Sequence, residues 1–501
     1  MDLLLVQRWA AQGLLPFFEK LLREWPLVRL TTVSRVLQPA VWPSLMTGQS
    51  PGFHGNYSYE QLRKGTYNLE PVHSDQIDGE RFHERLGAHG VRCAIVDIPK
   101  DLPDPKFNGI HVVDWATEMK YWRYETQPPE FAREIATRVG KHVLTEYGGT
   151  GMSMEAHRKL RADLEQGIRL KATLTRQLLE RKDLDLILVT WGEPHKGGHF
   201  LWKYMDAAHP DHVGTDDYLS GGMLAIYQLI DAEFADIASR LTPQDNVIVF
   251  TDHGMQANYR GEHFLEPLLE RFGLCKAGPG QARMGAGVAP PASLLSRTVR
   301  TARRTLRKIL TKIAPAGVND ALRSRFGVSA RVDWSNTRAF ILPTDRNSYI
   351  RINLRGREPS GTVAPGAEYQ RLMDEIEREF RALVNAETGA PAVEEVFRPQ
   401  ELYPGPRANE LPDLTILWSS EAPLNVLESP RIGRLEKRIS EDRSGNHRPE
   451  GFLFARGPAF RKERTESSGD ILQIAPTLLT LHGVAPPDTY QAGPLEQILV
   501  S

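Results

Sequence analysis

The chain has 501 residues, of which 41% are apolar and 25% charged, and a formal net charge of −1. That composition is globular, with ample material for a core, and it gives no reason to expect wholesale binding to nucleic acid or to an acidic surface. Two cysteines, Cys93 and Cys275, are too few for a disulfide framework and make a reducing cytoplasm the default expectation.

No apolar run approaches the ~18–20 residues needed to span a bilayer. The greasy stretch Met1 to Val6 has neither a basic lead nor a small-residue cleavage site, so it does not read as a secretory signal. In chain order, Leu3 to Glu24 reads as an amphipathic helix broken near Gly13 and Pro16. Three runs read as buried strands: Val91 to Ile98, Leu184 to Thr190 and Asn246 to Thr251. Helical patterns cover Met154 to Arg181 and Tyr218 to Leu241. Such alternation predicts an α/β core with a mostly parallel central sheet flanked by helices. Ligands of such sheets bind beyond the carboxyl ends of the strands, which directs attention to the loops after Thr190 and Thr251.

The composition shifts after Ala277. Gly and Pro cluster over 278–291, and a basic amphipathic pattern follows over 293–313, with Leu294, Leu295, Val299, Leu306 and Ile309 on one face and seven Arg and Lys on the other. Residues 279–331 therefore read as a helical insertion, or cap, between core segments 1–278 and 332–501. A cap packed on the core is the favoured reading of the basic helix. Membrane-surface contact is the less favoured one, and guidance of an anionic substrate comes third. Strand-like text returns at Val332 to Leu354, and Glu368 to Val384 is again amphipathic.

Three short stretches carry candidate chemistry. Glu193-Pro194-His195-Lys196-Gly197-Gly198-His199 follows the strand ending at Thr190, and its two histidines four apart can reach one ion if the loop curls or opens a helical turn. Asp252-His253-Gly254-Met255 follows the strand ending at Thr251, and Gly445-Asn446-His447 precedes the apolar run Phe452 to Ala455. Each alone is weak, since His-x-x-x-His is commonly surface or core material and Asp and Gly favour turns. Joint placement after strands is what gives them weight.

Together they resemble the alkaline phosphatase superfamily, in its type I phosphodiesterase and nucleotide pyrophosphatase branch. That branch shows Glu-Pro-Asp-x-x-Gly-His, Thr/Ser-Asp-His-Gly-Met and a late Gly-x-His. Here these stand as Glu193 to His199, Thr251 to Met255 and Gly445 to His447. Thr47-Gly48-Gln49-Ser50-Pro51-Gly52-Phe53-His54-Gly55 is similar to the family's text after its nucleophile helix, and Asp470 to Leu479 to its carboxyl-terminal helix. The resemblance implies hydrolysis of phosphodiester or pyrophosphate bonds in a small phosphate-ester substrate, with no nucleic-acid polymer as partner. It implies two divalent ions, zinc first and manganese as the alternative. One ion falls to His195, His199 and His447, the other to Asp252 and His253.

Departures from the pattern mark where activity is in question. His195 stands where the family has aspartate, which removes a negative charge. The family's first strand, ending in Gly-x-Asp-Gly, has no counterpart, because Met1-Asp2-Leu3-Leu4-Leu5 resembles the helix that follows it. Asp2 reads as a helix cap, and an in-frame Gly-x-Asp is expected upstream of Met1. Gln38 occupies the nucleophile position, leaving Ser44 as the nearest hydroxyl in the helix start, with Thr32 and Ser34 upstream; an ordinary helix serine is the commoner reading of Ser44. Arg351 and Arg357, in text similar to bacterial relatives, are candidates for a bidentate phosphate clamp or equally for turn charges. Asp206 and His209 read as packing or capping residues before substrate-mouth residues. The rival to a hydrolase is a non-catalytic or N-terminally truncated member that binds metal or phosphate without turnover.

Overall fold

The computed structural model describes residues 1–116, 124–141, 151–214, 216–278, 332–342, 344, 347–438 and 442–500. The basic insertion expected at 279–331 lies outside the described residues. In chain order the strands used below are β1 Leu27–Thr31, β2 Cys93–Val96, β3 Gly109–Val113, β4 Glu125–Gln127, β5 Leu186–Val189, β6 Val247–Thr251, β7 Gly254–Ala257, β8 Ala339–Leu342, β9 Ser348–Ile352, β10 Val393–Phe397, β11 Leu414–Trp418, β12 Gly445–Arg448, β13 Gly451–Arg456 and β14 Glu466–Asp470. The helices are α1 Leu3–Ala10, α2 Pro16–Glu24, α3 Val41–Thr47, α4 Met154–Leu179, α5 Glu193–Met205, α6 Gly222–Ser239, α7 Ala367–Arg381 and α8 Ile474–Leu481.

Two four-stranded sheets form the core, ordered β14-β1-β13-β6 and β4-β3-β2-β5. The second is parallel over β3-β2-β5, while in the first β13 runs antiparallel to both β1 and β6. An apolar run fixes burial but not direction, so the sequence pattern could not distinguish β13 from a parallel strand. A third, antiparallel sheet, β8-β9-β11-β10, has α7 on one face through Leu372, Met373, Ile376 and Phe380. β7 and β12 form a separate antiparallel pair with His447 opposite Met255.

The helix expected over Leu3 to Glu24 is two, separated at Gly13, whose φ of +71° suits glycine. Asp2 caps α1, accepting from the Leu4 and Leu5 amides, and its other oxygen accepts from the Met255 amide and pairs with Arg448. That carboxylate thus ties the chain's first helix to the β7-β12 pair. Pro194 sits in the first turn of α5, where its missing N–H costs nothing. α5 packs between α4 and α6, with Leu201, Ile226, Leu164 and Ile168 in one buried cluster. Those contacts hold α5 rigidly at the carboxyl end of β5. Among the described residues no helix is long and apolar enough to cross a membrane.

Candidate metal centre

The site grows from α5 and β12. His195 and His199 stand one turn apart on α5, so both imidazoles project to one side. β12 runs against this helix so closely that a Cβ on Gly445 would collide with the Gly198 carbonyl. The Ser444 amide donates to the His199 carbonyl at 2.8 Å, locking the approach. His447, two residues on, then meets the other two histidines. The three Nε2 atoms form a triangle with sides of 2.8, 2.8 and 3.0 Å.

Tautomers make that triangle informative. His199 Nδ1 lies 2.8 Å from the Gly445 carbonyl, so its proton belongs there and its Nε2 carries a lone pair. His253 Nδ1 lies 2.9 Å from the Gly254 carbonyl and is fixed in the same way. His199 and His253 are thus each set to offer an Nε2 lone pair, the form that binds a cation. His253 lies against His447 with ring centroids 4.1 Å apart and planes tilted by 37°, and ligand atoms of His195, His253 and His447 all lie within 4.8 Å of each other. Asp252 lies beside His253, with 3.8 Å between its Oδ2 and the His253 Nε2. All five residues expected to hold metal are therefore brought together.

Burial pushes the pKa values of His195, His199 and His447 well below the ordinary imidazole range, with neighbouring histidines and Arg443 adding to the effect. Neutral imidazole is the form a divalent ion binds, so the cluster is held ready to ligate without first shedding protons. The donor set, three or four nitrogens and one carboxylate oxygen, suits zinc chemistry.

Other residues expected at the site are placed elsewhere. Ser44 is fully buried, its Oγ 2.9 Å from His54 Nε2. His54 Nδ1 accepts the Asn56 amide, which leaves the proton on Nε2, so Ser44 receives a hydrogen bond rather than losing a proton to a base. Thr32 and Ser34 both donate to the Pro449 carbonyl. Gln38 does line the cavity beside the cluster, and its Oε1 accepts from Tyr59. Arg351 pairs with Glu358, and Arg357 meets Asp413 through two parallel bonds of 2.8 and 2.6 Å. These donors are matched by buried carboxylates, and neither arginine lines the cavity. Asp206 accepts from the Trp202 indole, and His209 is buried against Tyr259.

Three residues near the cluster carried no signal in their local sequence. Arg443 donates from Nη2 to His199 Nε2 at 2.8 Å, on the lone pair an ion would take. Lys100 and Lys171 line the same cavity as buried cations: Lys100 donates to the Pro39 carbonyl and to Asn56, and Lys171 lies 3.5 Å from Asp97. Asp97, Lys100 and Asp114, just beyond the ends of β2 and β3, have φ of 59°, 65° and 54°. Left-handed backbone at non-glycine positions gathers at functional sites. Position offered a clue for Lys100 alone, two residues after the stretch Val91 to Ile98 read as a strand; Lys171 lies within α4 and Arg443 ahead of β12.

Residues 3–420 match the family described as type I phosphodiesterase / nucleotide pyrophosphatase. The chain belongs to that family. Its members are phosphoric ester hydrolases of the alkaline phosphatase superfamily that use divalent metal ions. No curated protein matches the chain. Among solved structures, murine ectonucleotide pyrophosphatase / phosphodiesterase 5 is 10% identical, over 97% of this chain and 94% of that one, with a TM-score of 0.48. Phosphonoacetate hydrolase from Sinorhizobium meliloti 1021, in complex with phosphonoacetate, is 13% identical over 90% and 86%, with a TM-score of 0.47. A mutant of alkaline phosphatase PafA is 12% identical over 96% and 94%, with a TM-score of 0.48.

Proposed function

We propose that this family member is a two-ion hydrolase of phosphodiester or pyrophosphate bonds in small phosphate esters. The observation that carries the reading is the Nε2 triangle of His195, His199 and His447, with Asp252 and His253 against it. The first three would hold one ion, and Asp252 with His253 would hold the second. Zinc is the favoured metal and manganese the alternative. Bound there, such ions supply Lewis acidity and charge neutralisation for the transferring phosphoryl group.

The protein's own groups set the rest. Gly445 fixes the His199 tautomer, and desolvation of buried His199 and His447 and of half-buried His195 favours their neutral forms. Lys100 adds a buried cation to the cavity wall that suits an anionic ester, whereas the charge of Lys171 is offset by Asp97 and Glu193. No hydroxyl of Ser44 is offered to this space, so a water is the nucleophile that the arrangement suits. Free thiols at Cys93 and Cys275 accord with a cytoplasmic protein.

Gln38 in the cavity wall favours one rival specifically, a binder of metal or phosphate without turnover. The two part on a single assay. Hydrolysis of bis(p-nitrophenyl) phosphate with added zinc or manganese should fall at least ~100-fold in His199→Ala, with bound metal lost in parallel. Metal bound by the native chain, with no rate above that of His199→Ala, establishes the binder instead.

A further inference from the structure

A second set of metal-ligating side chains converges where β2 gives way to its loop. His83 comes from the helix Phe82–Ala88, His111 from the middle of β3, and Asp101 from the loop itself. Each is 1% exposed, and ligand atoms of the three lie within 4.8 Å of one another. His83 Nε2 lies 3.0 and 3.2 Å from the two oxygens of Asp101, and His111 Nε2 lies 2.9 Å from the nearer of them. The Leu102 amide donates to Asp101 at 2.8 Å, and Phe107 stacks on the His111 ring with centroids 4.6 Å apart, so both ligands are held in place. Neither imidazole has a hydrogen-bond partner at Nδ1 among the described residues, which leaves Nε2 as the working nitrogen of each.

Separations of 2.9–3.2 Å are those of neighbouring ligands around one ion about 2.0–2.2 Å from each. Two imidazoles with one carboxylate make a zinc-binding set, and the second Asp101 oxygen lies near enough to supply a fourth bond. Charge points the same way. Arg81 stands 3.1 Å from Asp101, but its guanidinium also meets Glu84 at 3.3 Å. One cation therefore serves two carboxylates, and the buried negative charge left over calls for another. We propose that His83, Asp101 and His111 hold a divalent ion, zinc by its donor set, distinct from those of the His195 cluster. It fastens the loop that carries Lys100 into the cavity wall to β3 and to the helix Phe82–Ala88. None of its three ligands lines that cavity, so its role is structural.

Metal analysis tests this in the intact chain, with His199→Ala as background so that the first cluster is disabled. Produced with zinc in the medium and dialysed against EDTA, that protein should retain about one zinc per chain, shielded by the burial of its ligands. Its zinc X-ray absorption should show two imidazoles and only nitrogen or oxygen neighbours, at about 2.0–2.2 Å. Asp101→Asn and His111→Gln in the same background, each close in shape to the residue it replaces, should keep less than about a tenth of that zinc. Zinc wholly removed by EDTA would overturn the proposal and leave a hydrogen-bonded tie between one carboxylate and two imidazoles. Zinc retained equally by Asp101→Asn would overturn it as well. Should either variant fail to fold, the spectrum of His199→Ala alone decides, and fewer than two imidazoles or any sulfur neighbour would overturn the assignment.

Discussion

His199 shows how one side chain is set by backbone alone. Its Nδ1 proton is committed to the Gly445 carbonyl, so its Nε2 has one electronic state to offer, a lone pair. His54 is the contrasting case. It is equally buried, bonds Ser44, and has its pKa pushed down to about 3, by desolvation first and then by Lys100 and Arg407. Above pH 6.5 it is neutral whether the chain is folded or not, and contributes no pH dependence. Between 6.5 and about 3 the unfolded chain takes up a proton that the folded chain refuses, so stability falls with pH by up to about 1.4 kcal/mol per unit from this residue. Denaturant melts of the native chain and of His54→Gln, run from pH 7 to 4.5, should show a shallower acid slope for the variant; equal slopes would contradict the assignment. At this scale the sequence was partly legible. His195, Asp252 and His253 could be found because they follow strands. Arg351 and Arg357 looked available because nothing nearby revealed Asp413, which lies 56 residues from Arg357 and takes two of its donors.

Elements reproduce the sequence reading well where periodicity is long. β2, β5 and β6 fall inside the stretches read as strands, and α4 spans Met154–Leu179 against an expectation of Met154 to Arg181. The stretch carrying His195 and His199, where the sequence allows a curled loop or the opening of a helical turn, is the start of α5, favoured by Pro194 and the packing of Phe200 and Leu201. What no periodicity encodes is the approach of β12 to α5. It depends on Gly445 having no side chain. Gly445→Ala should therefore push the strand off the helix, cost about 1–3 kcal/mol and separate His447 from His199. The check is zinc content by mass spectrometry on variant protein still folded by circular dichroism. Full zinc occupancy there would show that the contact does not position the cluster.

For the whole molecule, the centre is a junction. Asp2 binds β7 and β12, α5 belongs to the cluster packed by α4 and α6, and β13 lies between β1 and β6. An ion held by His195, His199 and His447 would fasten all of these at once. Free metal at 100 times its dissociation constant adds about 2.7 kcal/mol to stability. Chelation by EDTA should accordingly lower the melting temperature by several degrees, and His199→Ala should melt at the same temperature with and without EDTA. A native chain indifferent to EDTA would show that no ion fastens these parts.

His447 is made 248 residues after His199. At roughly 5–20 residues per second, a ribosome spends about 12–50 s extending a chain that displays two of the three imidazoles and lacks the last. The full three-histidine set thus exists only once most of the chain has been made, so loading is expected late in synthesis or after release. Translation in a zinc-depleted extract, with zinc returned only after termination, should yield as much active protein as zinc present throughout. A lasting deficit would mean that the ion instructs the fold while the chain is still being made.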